Sequence, residues 1–279
     1  MLVALMIDAR VRNLVLSLSA LALTLVACDE PKTDAAKPGA SASAKPAVSA
    51  VPTQTASAAA SAAPSAAPAP VKRDFKCEGG DKITFNMPAL EQEVRRKVGK
   101  EADKGPITKA DLAKVKSINL TQTQVDFLDP CVFPYLTNVK DVFLGQGDLD
   151  DLKPLEGLTQ LLSLRAAINK VKDAKPLSRM TKLDRLDLSR SLVEDLAPIG
   201  NMTDLTEIAL DDTPVSDLTP LTKCTKLERI SIKNTRVTNL QPLVGLRKLK
   251  SLAIAGSPVT DTGVLAPLRG SGLKIETSK

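Results

Sequence analysis

The sequence predicts an α/β solenoid: a stack of short coils with a parallel sheet on its concave face, short return segments behind, and a small helical cap in front. Two observations predict it, an apolar pattern with a period of 22 residues and two polar columns that keep step with it. The first positions of successive units fall at Val139, Leu161, Leu183, Leu205, Leu227 and Leu249. Within each unit, apolar residues occupy positions 1, 4, 6, 11, 14, 17 and 20. In the unit that starts at Leu183 these are Leu183, Leu186, Leu188, Val193, Leu196, Ile199 and Met202. The five complete units from 139 to 248 contain 35 such positions, and all 35 are apolar. A chain that is 43% hydrophobic does not produce this by chance.

Positions 3 to 7 are expected to form a short strand with residues 4 and 6 inward, because side chains alternate along a strand. The return path, in 3-10 or turn conformation, brings positions 11, 14, 17 and 20 to the same core. Burying each large aliphatic side chain contributes about 1.5–3 kcal/mol, so one coil is not stable alone but about seven stacked coils are. The polar columns agree. Position 13 reads Asp151, Asp173, Asp195, Asp217, Asn239 and Asp261; position 16 reads Pro130, Pro154, Pro176, Pro198, Pro220 and Pro242. An Asp capping a short helical turn, followed by Pro in that first turn, satisfies free N–H groups and stops the segment from pairing as a strand. A calcium-binding ladder is the alternative for the Asp column. The period lies in the range of leucine-rich repeats.

In chain order, residues 1–27 read as a lipoprotein signal peptide. Arg10 and Arg12 precede an apolar run from Leu14 to Ala27, too short to span a bilayer comfortably. Met6 is an alternative start. The sequence Leu25-Val26-Ala27-Cys28 resembles the bacterial lipobox, which implies lipidation of Cys28. The expectation is an exported protein anchored by lipid to a bacterial membrane, with the outer membrane or cell surface ahead of the inner membrane. Residues 28–73 follow as anchor and linker; 29 of the 44 residues from 29 to 72 are Ala, Ser or Pro. Such a stretch has too little apolar bulk to offset its ordering entropy and is expected to be disordered.

Residues 74–114 should form the cap and residues 115–279 the solenoid. Phe85, Pro88, Leu90 and Val94 suit a cap helix. In Ile107-Thr108-Lys109-Ala110-Asp111-Leu112, Thr108 can cap a second short helix with Asp111 at its third position, and Ile107 can staple to Leu112. With these segments and the recurring Pro-Leu-x-x-Leu-Thr, residues 81–270 resemble the internalin-type leucine-rich-repeat region with its helical cap. The resemblance implies fold and binding mode. Departures are a front lipid anchor and a position 9 where the usual asparagine survives only as Asn169. Thr123, Ser191, Thr213, Thr235 and Ser257 stand elsewhere, with hydroxyls able to bond backbone.

Three cysteines remain after the anchor. In an exported chain a Cys77–Cys131 bridge would pin cap to solenoid. Cys224, at the buried position 20, reads as a small core residue.

Composition narrows the function. The chain has no histidine, which removes the commonest general base and metal ligand. All six rings (Phe75, Phe85, Phe127, Phe133, Tyr135, Phe143) lie before residue 144, so the rest offers nothing on which a base or sugar could stack. Of the net charge of +6, only about +3 falls after residue 73. That argues against nucleic acid. No phosphate-cradling loop, zinc spacing or triad is present, and Asp148, Asp150 and Asp151 read as a solvated turn. The expected role is therefore non-catalytic, with no cofactor, metal or small-molecule substrate: a scaffold that binds a protein partner, or a wall component, through its concave face. Candidate contacts are Phe143, Arg165, Ile168, Arg185, Asp187, Glu207, Asp211, Arg229 and Lys233. The competing reading of these charges is mutual pairing across strands, and of Phe143, packing against the cap or over Ala166 and Ala174. A second function is structural, an envelope spacer using the last strand around Leu273 and Ile275 as an edge.

Overall fold

The computed structural model describes residues 74–101 and 105–278; the expected signal peptide, Cys28 and the expected linker lie outside the described residues. The cap begins with helix α1, Pro88–Val98. Pro88 opens it without losing a needed donor, and Gly99 closes it in the left-handed region at φ 68°. Leu90 and Val94 lie one turn apart and are fully buried. Phe85 precedes this helix and packs on the core as a partly buried ring. Helix α2, Lys109–Leu112, is held by a reciprocal capping box between Thr108 and Asp111.

Eight three-residue strands follow: β1 Ser117–Asn119, β2 Asp141–Phe143, β3 Ser163–Arg165, β4 Arg185–Asp187, β5 Glu207–Ala209, β6 Arg229–Ser231, β7 Ser251–Ala253 and β8 Lys274–Glu276. They form one parallel sheet in chain order. Leu164, Leu186, Ile208 and Ile230 are partners in register, the 22-residue period made visible. The steps at the two ends are longer, Ile118 to Val142 and Leu252 to Ile275. Every one of the 35 periodic apolar positions is at most 2% exposed, so the aliphatic stripes fuse into one core.

The strands cover positions 3–5, not the expected 3–7. The reason lies at position 8, where Ile168, Arg190, Asp212, Asn234 and Gly256 all take positive φ and turn the chain out of the sheet. The ladder bonds nevertheless continue beyond the strands. The position-6 N–H of Ala166 donates to Asp187 O at 2.9 Å, and the position-8 N–H of Ile168 donates to Ser189 O at 2.8 Å.

Behind the sheet, the return segments are 3-10 turns such as Lys153–Leu155 and Ala197–Ile199, each with Pro in its first turn. The position-13 side chains work one residue before the cap position. Each accepts the N–H two residues on, at 2.6–2.9 Å, in all six coils from Asp151 to Asp261. This is an Asx turn that satisfies a free donor at the start of the 3-10 turn. Pro130 departs from its column: the first 3-10 turn is Phe133–Tyr135 and contains Pro134 instead. In that longer first coil, Asp129 is wholly buried and reaches the cap, where Asn86 Nδ2 donates to it at 3.1 Å. Beside this clamp, Cys77 and Cys131 are joined by a disulfide with Cα atoms 5.2 Å apart. At position 9, the hydroxyls of Thr213 and Thr235 donate to the position-6 carbonyls of Leu210 and Ile232 at 2.6 and 2.9 Å.

The two sheet edges differ. Helix α1 packs on β1, and the buried Glu93 carboxylate accepts the free N–H of Asn119 at 3.2 Å. At the other end β8 is the last strand among the described residues, with Leu273 buried and Ile275 partly so.

Candidate binding site on the concave face

Strand positions 3 and 5 and the following position 7 display their side chains on the concave face, and the register sets their neighbours. Phe143 is flanked by Asn119 on β1 and Arg165 on β3. It is half-buried, while Arg165 is exposed.

Most of the charged residues expected on this face are bonded to one another. Arg229 Nη2 meets Glu207 Oε2 at 2.6 Å across β5 and β6. That hydrogen bond from Arg229 draws the Glu207 carboxyl below its ordinary range and raises the guanidinium in turn. Arg165 Nε lies 3.3 Å from Asp187 Oδ2, and Asp187 also accepts the N–H of Ser189. Asp211 accepts from Ser231 Oγ at 2.6 Å and from the Lys233 backbone N–H at 2.8 Å, so the expected pairing with the Lys233 ammonium does not form. Lys233 holds the same position on the next coil, so its N–H lies fixed against Asp211, whereas its ammonium rides on a flexible four-carbon stem. Arg185 turns to Asp184, the residue just before β4, at 3.4 Å. Exposed pairs of this kind contribute about 0.2–1 kcal/mol each and leave few unsatisfied charges for a ligand.

The β2–β3 end is different. A notch of about 490 Å³ opens beside Arg165 and Ile168, lined also by Thr121, Gln122, Gln124 and Gln146. Gly145 sets its depth. A Cβ there would lie 1.8 Å from Thr123 O, so only glycine lets the first two coils approach this closely. Ile168 forms part of the wall, is 40% exposed and has φ 60°. A β-branched residue in that region costs about 1–2 kcal/mol. The other coils place Arg190, Asp212, Asn234 and Gly256 at the same position, polar residues or glycine. Leu162 and Leu192, 36% and 53% exposed, lie in the same and the next coil.

The structure therefore brings Arg165 and Ile168 together in the notch, with Phe143 next to Arg165 across the strands, and spreads the other six candidates along the sheet, where Glu207 and Arg229 pair with each other and Asp187 pairs with Arg165. The glutamines and threonines of the notch were not among the expected contacts, since uncharged polar residues on loops carry no periodic signal. Cys224 is fully buried; burial pushes its thiol up to about 11. Among the described residues no cluster of metal-ligating side chains occurs, and no helix is long and apolar enough to cross a membrane.

No protein-family model and no curated protein matches the chain in sequence. Solved structures do match in fold. An internalin (inlF) from Listeria monocytogenes shares 26% identity with a TM-score of 0.63, over 68% of this chain and 55% of that one. An internalin C2 (inlC2) from the same organism shares 25% identity with a TM-score of 0.64, over 72% of this chain and 100% of that one. The chain thus spans about half the length of the inlF structure. With eight parallel strands and short 3-10 return turns, the described residues have the fold of an internalin-type leucine-rich-repeat domain.

Proposed function

We propose that the protein is a lipid-anchored scaffold of the bacterial cell envelope, without catalytic activity, that binds a protein partner through the β2–β3 end of its concave face. The observation that carries this reading is Ile168. An aliphatic side chain that is both exposed and held in a disfavoured backbone region is doubly costly, and strain of this kind collects at binding and switch sites. Its neighbours supply the usual interface chemistry. Arg165 offers a partly paired guanidinium, Phe143 a half-buried ring, and the notch a set of amide and hydroxyl groups for main-chain atoms of a peptide. The anchor rests on the amino-terminal sequence, the basic start and apolar run that lead into Leu25-Val26-Ala27-Cys28.

The test uses the full chain as bait on envelope fractions, beside an Arg165→Glu/Ile168→Asp double variant. A partner retained by the wild type and lost from the variant, with both folded by circular dichroism, supports the reading. Equal recovery contradicts it. Metabolic labelling with an alkyne fatty acid tests the anchor, which Cys28→Ser should remove.

A second reading, an envelope spacer that assembles through an edge strand, is favoured by one observation: α1 covers the β1 edge, whereas no described element covers β8. It predicts that partner recovery depends on β8 and not on Ile168.

A further inference from the structure

A second recess lies away from the sheet, on the return-segment side. It is a groove of about 820 Å³ between the segment that leads into the cap and the return segments of the first two coils. Phe75, Phe127, Pro130 and Pro154 give it apolar walls, with the two rings 5.2 Å apart and tilted by 41°. Three carboxylates, Asp150, Asp151 and Glu156, line it against one ammonium, Lys153. Asp151 is occupied by the Lys153 N–H. The nearby ion pair goes to Asp148, held by Lys170 at 2.9 Å. Asp150 and Glu156 are exposed and have no ionic partner among the described residues.

Two features define an occupant. Flat walls of aromatic and proline rings accept an extended polyproline strand, whose stiffness keeps its ordering cost low. A rim of free carboxylates on a chain whose net charge is +6 reverses the local sign and selects a cation. We propose that this groove docks an extended, proline-bearing segment of a partner protein that carries Lys or Arg beside its prolines. The site shares no residue with the concave face, so either can fail without the other.

The test is fluorescence anisotropy with the full chain and a short fluorescein-labelled peptide of alternating proline, valine and lysine. The cationic peptide should bind saturably, and its glutamate counterpart should not. Asp150→Lys/Glu156→Lys should weaken binding by about tenfold. Phe75→Ala, which removes a wall without altering charge, should weaken it as well, and Arg165→Glu should leave it unchanged. No saturable binding, equal binding of the two peptides, or indifference to the rim variant would overturn the proposal. So would binding that emerges only after Lys72 and Arg73 are changed to Glu, which would assign the groove to the chain's own Pro-rich segment.

Discussion

Changing Cys77 to Ser should destabilise the domain by an amount that follows from the chain separation alone. The disulfide closes a loop of 54 residues between the cap and the first coil. Cross-linking a loop of that length removes denatured-state entropy equivalent to about 4 kcal/mol at room temperature. Cys77 is exposed, so its replacement opens no cavity, whereas Cys131 is 4% exposed and can stay in place as a thiol. The Asn86–Asp129 bonds remain, so the cap keeps its docking contacts and the change isolates the cross-link. Urea unfolding followed by far-ultraviolet circular dichroism measures it. With a slope of about 2–3 kcal/mol per molar urea, the midpoint should fall by about 1.3–2 M. Wild-type protein treated with reductant should shift by the same amount. A loss below about 1 kcal/mol, or a reductant effect equal in wild type and variant, would refute the cross-link argument.

Three further outcomes follow from individual side chains. Ile168→Asn places at φ 60° a residue that tolerates it, as Asn234 does at the same position three coils further on; stability should hold or rise by about 1 kcal/mol while partner capture falls. A stability loss above about 1 kcal/mol would show that Ile168 serves the core. Asp111 is held well below the usual carboxylate range, chiefly by the Lys100 ammonium at 2.6 Å and also by Thr108 and Lys114. A depressed folded-state value gives stability that is present above the unfolded value near 4 and is lost as pH falls through the folded value. Asp111→Asn should therefore flatten the decline in unfolding free energy below about pH 4, and an unchanged slope would contradict this. Cys224, with its thiol raised to about 11, should resist iodoacetamide at pH 8 in the folded protein and react once unfolded. Rapid labelling of the folded protein would place that thiol outside the core.

The fold was legible because a solenoid is bound by nearest neighbours. Residues that touch across coils sit one period apart, so Leu183, Leu205 and Leu227 announce their stacking directly. The Asp column was legible for the same reason, since each member acts on its own coil. What the period hid are the places that break it. In the longer first coil, the 3-10 turn moved from Pro130 to Pro134, and Asp129 became a buried clamp on Asn86. A single carboxylate outside any column gives no sign that it is buried. The early end of each strand leaves no mark in the sequence, because the left-handed turn at position 8 is carried mostly by residues other than glycine. At the site, Arg165 and Ile168 stand where the repeat places them. The partner choice of Asp211, backbone over ammonium, depends on local geometry that side-chain columns do not encode.

The proposed function requires the β2–β3 end of the concave face to hold a protein in the cell envelope. A photo-crosslinking residue at Gln124, in the notch, compared with one at Lys223, on a distant return segment, tests it in intact cells. Gln124 should give one protein adduct, abolished by Arg165→Glu, and Lys223 should give none. The same adducts from both positions, or an adduct that survives Arg165→Glu and Ile168→Asp together, would contradict it.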